Sequence, residues 1–252
     1  MKSSFLLTRP DHDLTTEYLY FWSEAVLKSS REKNILTIDL ASKEANKRNF
    51  LSAVKKYRPS FVYFNGHGSP NTVTGFNNEP LITFADNEKI LKDRVAYALS
   101  CQSAKRLGKS CVADGARTYL GYDEDFIFVF DEEKEKDPLN DRVAENFIEP
   151  SNTLVLSILA GKTTKEAYQN SQEEFNQKIV RFSLSEATAE ERELLPYLLW
   201  DKEHQVCLGN QEAKCEFITK EEYQKGQKIK ALVLLALLVM LAIGAALVFL
   251  FK

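Results

Sequence analysis

The sequence has few of the residues that mark several protein classes. Its 252 residues include only three histidines, four cysteines, ten glycines and seven prolines. So few glycines and prolines exclude a low-complexity chain, and 44% apolar with 27% charged residues is ordinary for a folded protein. With a net charge of −3, no basic stripe marks a nucleic-acid surface. Internal repeats, metal-binding clusters and phosphate loops are also missing. We therefore expect no cofactor, no bound metal and no nucleic-acid partner.

The four cysteines do not stand at the spacings that bind zinc. They are Cys101, Cys111, Cys207 and Cys215. Cys207 and Cys215 are close enough in sequence to permit a loop disulfide without implying one, and free cytosolic thiols are the simpler interpretation. The apolar run near the N-terminus is too short for the core of a signal peptide.

Residues 231–251 form the one long apolar run, with 21 residues and a single glycine. At about 1.5 Å per residue a helix of this length spans roughly 30 Å, the thickness of a bilayer's hydrocarbon. The alternative, a buried core helix, is disfavoured by the length and by the absence of any polar side chain. Lys225, Lys228 and Lys230 precede the run and only Lys252 follows it, so the positive-inside rule places the N-terminal part in the cytoplasm.

Before that run, short apolar segments alternate with helical patterns. We predict strands at 5–7, 35–38, 61–64, 95–99 and 118–122. Helices are predicted at 14–29, capped by Asp13, at 42–57, at 83–91 and at 102–109, and further helical segments at 138–147, 163–182 and 185–199. Residues 152–159 are read as a helix or strand, and residues 71–80 as a loop that lines a groove or merely connects two elements. This alternation predicts an α/β fold, a doubly wound and mainly parallel sheet flanked by helices.

A histidine and a cysteine stand just past two of these strands. His67 follows the run 61–64 within Asn-Gly-His-Gly, and Cys101 follows the run 95–99. Sites form at the carboxyl ends of parallel strands, so neighbouring strands would make the two side chains face each other. A lone histidine or cysteine after a strand is more often a turn residue or a small buried hydrophobe. Their joint placement predicts a catalytic dyad.

This pair is the constellation for thiolate chemistry. A thiolate is the nucleophile, and a nearby imidazole can make or hold it. The backbone N–H groups of Gly68 and Cys101 are placed to bind an oxyanion. A helix opening at Gln102 would lower the pKa of the thiol. His12 lies in a polar loop before a helix and is interpreted as a surface or capping residue. His204 lies in a polar segment, and neither histidine follows a buried strand.

Strand-His-Gly followed by strand-Ser-Cys resembles the caspase-like cysteine peptidases of the caspase–gingipain–legumain clan. Residues 114–122, Asp-Gly-Ala-Arg-Thr-Tyr-Leu-Gly-Tyr, are similar to the segment after the cysteine in the gingipain-like and CHAT branches. The chain lacks the Gln-Ala-Cys-X-Gly string of caspases, so a caspase-type preference for aspartate is not implied. The resemblance implies a caspase-like domain at 1–210, with a short closing strand near 206–210. Residues 211–230 are charged and nearly free of large apolar groups, so they are predicted as a tether to the transmembrane helix at 231–251.

The function that follows is a tail-anchored cysteine endopeptidase, a hydrolase that cleaves proteins at the cytoplasmic face of a membrane. Clustering there, through self-association or an activating partner, would offer one route to activation. Some prokaryotic members of the family are defence peptidases, so the resemblance implies defence or regulated proteolysis. One alternative is a catalytically silent caspase-like membrane scaffold. Another, a Rossmann- or flavodoxin-like binder, lacks the glycine-rich turn expected after the first strand.

The acidic run at 123–125 gives a specificity hypothesis. It follows the strand 118–122, which we expect beside the strand that leads to Cys101. Asp123 or Asp125 would then recognise a basic side chain ahead of the cleaved bond through a charge-assisted hydrogen bond. The alternative is that these carboxylates form a solvated edge with no role in binding.

Overall fold

Short runs of aromatic and β-branched residues form the centre of the molecule. The structure, a computed structural model, describes residues 3–250, and the side chains at 236, 239 and 241–250 are outside that description. Its backbone divides into a first unit that ends at Phe217 and a second that begins at Ile218. The strands of the first unit are β1 (Phe5–Arg9), β2 (Thr37–Ala41), β3 (Phe61–Asn65), β4 (Gly68–Ser69), β5 (Thr72–Thr74), β6 (Pro80–Thr83), β7 (Val95–Leu99), β8 (Thr118–Tyr122) and β9 (Gln205–Gly209).

Six of these strands form the main sheet, in the order β2-β1-β3-β7-β8-β9. The first five run parallel, and β9 pairs antiparallel with β8 at the edge. Every residue of β1, β3, β7 and β8 is buried, as expected for strands covered on both faces. The predicted closing strand near 206–210 is confirmed as β9.

Helices cover both faces of this sheet. The helices of the first unit are α1 (Leu14–Trp22), α2 (Glu24–Glu32), α3 (Lys47–Tyr57), α4 (Lys109–Ala113), α5 (Arg142–Leu159), α6 (Thr164–Ser183), α7 (Ala189–Glu193) and α8 (Leu195–His204). The second unit contains α9 (Lys220–Leu250). Tyr63 and Tyr97 pack with α1, α2 and α5, while the alternating Val62 and Ala96 pack with α3 and α4. The predicted α/β class, with a mainly parallel sheet between helices, is therefore confirmed.

The helix predicted at 14–29 is two helices that meet at Ser23. Ser23 ends α1 and precedes α2, and its hydroxyl donates to the carbonyl of Tyr20 at 2.8 Å. Serine competes for backbone hydrogen bonds in this way, which explains the break. The helix predicted at 42–57 starts later, at Lys47, because the side chain of Asn46 caps it.

Most of the two predicted pieces at 138–147 and 152–159 belongs to one helix, α5, while Pro138–Asn140 forms a separate 3₁₀ turn. Asp141 caps it by accepting hydrogen bonds from the N–H groups of Val143 and Ala144, both at 2.9 Å. The helix continues through Pro150, although an interior proline removes a backbone donor. Most of its residues are buried, so packing outweighs that loss.

The loop predicted at 71–80 was wrong in part. Strands β4, β5 and β6 form a small antiparallel sheet directly after His67. Val73, Leu81 and Ile82 of this sheet are buried in the core, which gives the segment a reason to fold. The helix predicted at 83–91 is only a 3₁₀ turn at Glu88–Leu91.

The first unit extends past residue 210, where the predicted domain ended. Ala213 and Cys215 are buried in the core, and Phe217 forms a β-bridge with Ser3. These contacts draw residues 211–217, predicted as tether, into the folded unit. All four cysteines are free thiols.

No helix among the described residues combines the length and apolar character that crossing a bilayer requires. Of the predicted span 231–251, Phe251 lies outside the described residues, as do the side chains at 236, 239 and 241–250.

Candidate functional site

The sheet places His67 and Cys101 at matching positions. Strands β3 and β7 are neighbours, and their last paired residues are Asn65 and Leu99. His67 and Cys101 each come two residues later. The strand predictions that led to both residues are confirmed, and the carboxyl ends of the strands deliver the two side chains to the same edge of the sheet.

Two glycines let the chain make this approach. Gly66 has a φ of +144°, and a Cβ there would lie 2.8 Å from the carbonyl oxygen of Thr74. At Gly68 a Cβ would lie 2.7 Å from the carbonyl oxygen of Cys101 and 2.9 Å from the Cβ of Ser100. Backbone can come this close only to a residue without a side chain. The loop carrying His67 therefore packs directly on the loop carrying Cys101.

Asp13 uses its two carboxylate oxygens for different tasks. Oδ1 accepts a hydrogen bond from the N–H of Thr16 at 2.9 Å and caps α1, as the sequence predicted. Oδ2 lies 2.7 Å from Nε2 of His67. Burial raises the pKa of Asp13, but the bonds from Thr16 and His67 outweigh it and leave the pKa lowered. Asp13 therefore stays ionised beside His67 and fixes the orientation of the imidazole.

A buried arginine holds the strand that leads to Asp13. Arg9 donates to both carboxylate oxygens of Asp39, from Nε at 2.9 Å and from Nη2 at 2.6 Å, and to Glu24 at 2.7 Å. Its side chain is 4% exposed. Such a paired and forked contact fixes geometry, because breaking it would leave a charge buried alone. The end of β1 is thereby fixed in place.

His12 lies beside Asp13 and His67, which corrects its interpretation as a surface or capping residue. Its side chain is 8% exposed, and its ring centre lies 6.0 Å from that of His67 and 5.4 Å from that of Phe76. His12, Asp13 and His67 each present a donor atom, all within 4.8 Å of one another. The sequence predicted no metal cluster, because these donors come from segments 54 residues apart.

The surroundings of Cys101 differ from the prediction. No α-helix opens at Gln102, which adopts a φ of +56°. A π-helical turn at Ala104–Gly108 leads into α4 instead. Burial raises the pKa of the Cys101 thiol to about 11, and the nearby Asp125 adds to the rise. The thiol donates a hydrogen bond to the carbonyl of Phe126 at 3.8 Å. The expectation of a thiol pKa lowered by a helix N-terminus was wrong, because the site lacks that helix end.

The acidic run follows β8, which pairs with β7 as predicted. Oδ1 of Asp123 lies 2.9 Å from Nδ1 of His204. Glu124 pairs with Lys105 at 2.6 Å. Asp125 accepts a hydrogen bond from the side chain of Gln102 at 2.9 Å. Of the two predicted specificity residues, Asp125 is the one whose charge raises the pKa of the Cys101 thiol.

The segment after these acids, residues 126–130, forms no strand. The rings of Phe126, Phe128 and Phe130 follow one another along it, tilted and with centres 6.2 Å apart at each step. Asp201, buried on α8, accepts a hydrogen bond from the N–H of Ile127 at 2.9 Å. The segment is thus a wall beside the cysteine, held in place by α8.

Sequence patterns did not predict the positions of His12, Asp13 and Asp201 at this edge of the sheet. Asp13 was identified only as a helix cap. The missing information was that β1 lies beside β3, which places the residues after both strands together. Parallel order alone could have suggested it, since β1 and β3 end at the same edge. Asp201 comes from a distant helix, and no local pattern marks it.

No protein-family model and no curated protein matches this chain.

Proposed function

We propose that the protein is a cysteine endopeptidase with Cys101 as nucleophile and His67 as acid–base residue. The observation that carries this proposal is the matched placement of the two residues beyond β3 and β7, with Asp13 at 2.7 Å from His67. The mainly parallel sheet between helices is compatible with the caspase-like fold that the dyad motifs resemble. The thiol of Cys101 and the imidazole of His67 follow neighbouring parallel strands, and the carboxylate of Asp13 contacts the imidazole. These are the groups that acyl transfer by a cysteine uses.

The reaction would proceed in two steps. Sγ of Cys101 attacks the carbonyl carbon of the scissile bond while its proton passes to His67, and His67 then protonates the departing amine. A thioester joins the acyl group to Cys101. Water, deprotonated by His67, attacks that thioester and releases the carboxylic acid and the thiol. Backbone N–H groups of Gly68 and Cys101 would stabilise the oxyanion in both steps.

Asp13 gives the imidazole a defined role in this scheme. Because Nε2 of His67 faces the carboxylate, Nδ1 is the ring nitrogen left to exchange protons with thiol and substrate. An ionised partner at 2.7 Å also stabilises the imidazolium that forms during attack. Asp13 is thus a positioning residue of the proposed reaction.

The raised thiol pKa favours the alternative of a silent scaffold with the same fold. A thiol with a pKa of about 11 is almost wholly protonated at pH 7. Under the peptidase proposal, His67 removes that proton during attack. Under the scaffold proposal, Cys101 is an inert half-buried thiol. The peptidase and scaffold proposals differ in one expectation. Only the peptidase proposal requires Cys101 to react with peptide electrophiles faster than other thiols of the same chain.

Cys207 is the matched control for that comparison. It is also half-buried, and burial raises the pKa of its thiol to about 11 as well. Incubation with a peptidyl acyloxymethyl ketone, followed by peptide mass mapping, should label Cys101 and leave Cys207 unmodified. Labelling should disappear in His67→Ala. Equal labelling of both cysteines, or full peptide cleavage by Cys101→Ala, would refute the peptidase.

For specificity we propose a basic residue ahead of the scissile bond, recognised by Asp125 more than Asp123. Asp125 is the carboxylate whose charge raises the pKa of Cys101, while Asp123 already pairs with His204. Peptides with Arg, Lys, Asp, Asn or Leu at that position should be cleaved fastest with Arg or Lys. Asp125→Ala should reduce that preference and Asp123→Ala should not. Preference for Asp or Leu would refute a basic-residue pocket.

We also propose that residues 231–251 anchor the enzyme to a membrane with its catalytic part on the cytoplasmic side. The support is the apolar run itself and the exposure of its described side chains, such as Leu232 at 66% and Met240 at 60%. Exposed apolar surface of this kind is stable only against lipid or another protein. Flotation of the full chain with liposomes, compared with a chain ending at residue 230, tests the anchor.

A further inference from the structure

We propose that His12, Asp13 and His67 bind one divalent transition-metal ion, with zinc as the favoured metal. One donor atom from each residue lies within 4.8 Å of the other two. Nε2 of His67 and Nε2 of His12 approach the same oxygen, Oδ2 of Asp13, at 2.7 and 3.5 Å. Neighbouring ligands of tetrahedral zinc are about 3.3 Å apart, given bonds of about 2.0–2.1 Å. Small ring movements would therefore place three donors around one ion.

His12 supplies an independent observation that points to a ligand. Its side chain is 8% exposed, and neither ring nitrogen has a hydrogen-bond partner among the residues that the structure describes. The 3.5 Å contact with Asp13 is too long to count as one. Buried polar atoms without partners are costly, so they are rare. A metal ion beside Asp13 would satisfy Nε2 of His12 and use the orientation that the ring already has.

The donor set selects the metal. Two imidazoles and one carboxylate suit zinc and neighbouring transition metals, whereas magnesium and calcium prefer oxygen ligands alone. No cysteine is among the three donors, so the site does not depend on the redox state of a thiol. His67 and Asp13 are both more than a third exposed in this cluster, with side chains 35% and 39% accessible. An ion can therefore reach the site from solvent, and water can complete its coordination.

The consequence for activity rests on the proposed peptidase function. A metal on Nε2 of His67 replaces the hydrogen bond to Asp13 and fixes the remaining ring proton on Nδ1. The imidazole can then no longer accept the proton of Cys101, so the metal-bound protein would be inactive. Free enzyme and metal-bound enzyme would form two states, with the ion as a reversible inhibitor.

Binding can be tested without any assay of activity. Full-length protein in detergent is titrated with Zn²⁺ by calorimetry and with Co²⁺ by visible absorption. Wild type should bind one equivalent with a d–d spectrum typical of nitrogen and oxygen ligands. His12→Asn should weaken binding about a hundredfold or more, and His67→Gln should do the same. His67 is partly exposed, so its variant tests the site even if His12→Asn fails to fold. Unchanged affinity in a folded variant of either residue would overturn the proposal.

Two controls separate this site from other zinc-binding groups. His204→Asn removes the histidine that pairs with Asp123 and should leave binding as in wild type. Cys101→Ala should also bind zinc normally, although it would be inactive as a peptidase. Loss of binding in Cys101→Ala would mean that the ion sits on the dyad and would overturn the three-residue site. Normal zinc binding in a protein without peptidase activity would refute the proposed function and leave the site intact.

Discussion

Two histidines of the described chain form contacts shorter than 3 Å with an aspartate, and they lie in different surroundings. His67 meets Asp13 at 2.7 Å, and His204 meets Asp123 at 2.9 Å. The two carboxylates are equally exposed, at 39% each. Only His67 follows a strand whose neighbour leads to a cysteine, while His204 ends α8 with its ring 4.2 Å from that of Trp200. A histidine–carboxylate pair alone therefore does not indicate catalysis. It does so only where a potential nucleophile follows the neighbouring strand.

The strongest test of this comparison removes one histidine at a time. His67→Ala should lower kcat about a thousandfold, because it removes the proposed acid–base residue. His204→Ala should keep most of the activity. The measurement is peptide cleavage at fixed enzyme concentration, with thermal melting to check folding. Equal losses in the two variants would mean that the pairs do not differ in function.

The two aspartates can be compared in the same way. Asp13→Asn should lower kcat about a hundredfold, because the amide cannot stabilise an imidazolium. Asparagine still caps a helix, so α1 should remain intact. Asp123→Asn should change kcat little. The pH profile of kcat distinguishes orientation from structure, since a merely structural effect would lower the rate equally at every pH.

Gly68 tests how closely the two loops must approach. Gly68→Ala places a Cβ 2.7 Å from the carbonyl of Cys101, so the His67 loop must move. We expect kcat/KM to fall about tenfold or more, since small displacements of catalytic groups are costly. Gly226→Ala is the control, because its Cβ would meet nothing within 4 Å. A fully active Gly68→Ala would show that the loops tolerate separation.

Thiol reactivity gives a smaller and chemically distinct test. Asp125 raises the pKa of Cys101, so Asp125→Asn should increase the thiolate fraction and speed alkylation of Cys101 by iodoacetamide several-fold at pH 8. Asp123→Asn, which leaves Asp125 in place, should not. In wild type the alkylation rate should rise with pH towards about 11. Identical alkylation rates in both variants would mean that the charge of Asp125 does not affect the pKa of Cys101.

The last test concerns stability near the second pair. Burial raises the pKa of Asp201 well above its usual value, despite the hydrogen bond from Ile127. Because the folded protein holds the Asp201 proton more tightly than the unfolded chain does, protonation of Asp201 favours folding. This contribution is complete below about pH 4 and is lost as the pH rises towards the pKa of Asp201 in the folded state, at up to about 1.4 kcal/mol per pH unit. Because asparagine does not titrate, the free energy of unfolding of Asp201→Asn should not fall with pH in this way. Urea unfolding from pH 4.5 to 7.5 should show the variant gaining on wild type. Parallel curves would contradict the raised pKa.

Much of the fold was predictable because its signals are local. Apolar runs such as 61–64 and 95–99 gave the strands, and Asp13 gave the start of α1. The partner of His67 was not predictable from local pattern, because it depends on β1 lying beside β3. The thiol pKa was mispredicted for the same kind of reason. It depends on burial and on Asp125, both of which arise only when distant segments meet.

Asp13 caps α1 with one oxygen and orients His67 with the other, and this constrains how the protein can evolve. Serine, threonine or asparagine would serve the helix almost as well. None of them would offer a charged oxygen to the histidine. Selection for folding alone would let this position drift among four residues, whereas selection for the histidine allows one. A survey of functional variants at position 13 would therefore read out selection on the histidine separately from selection on the helix.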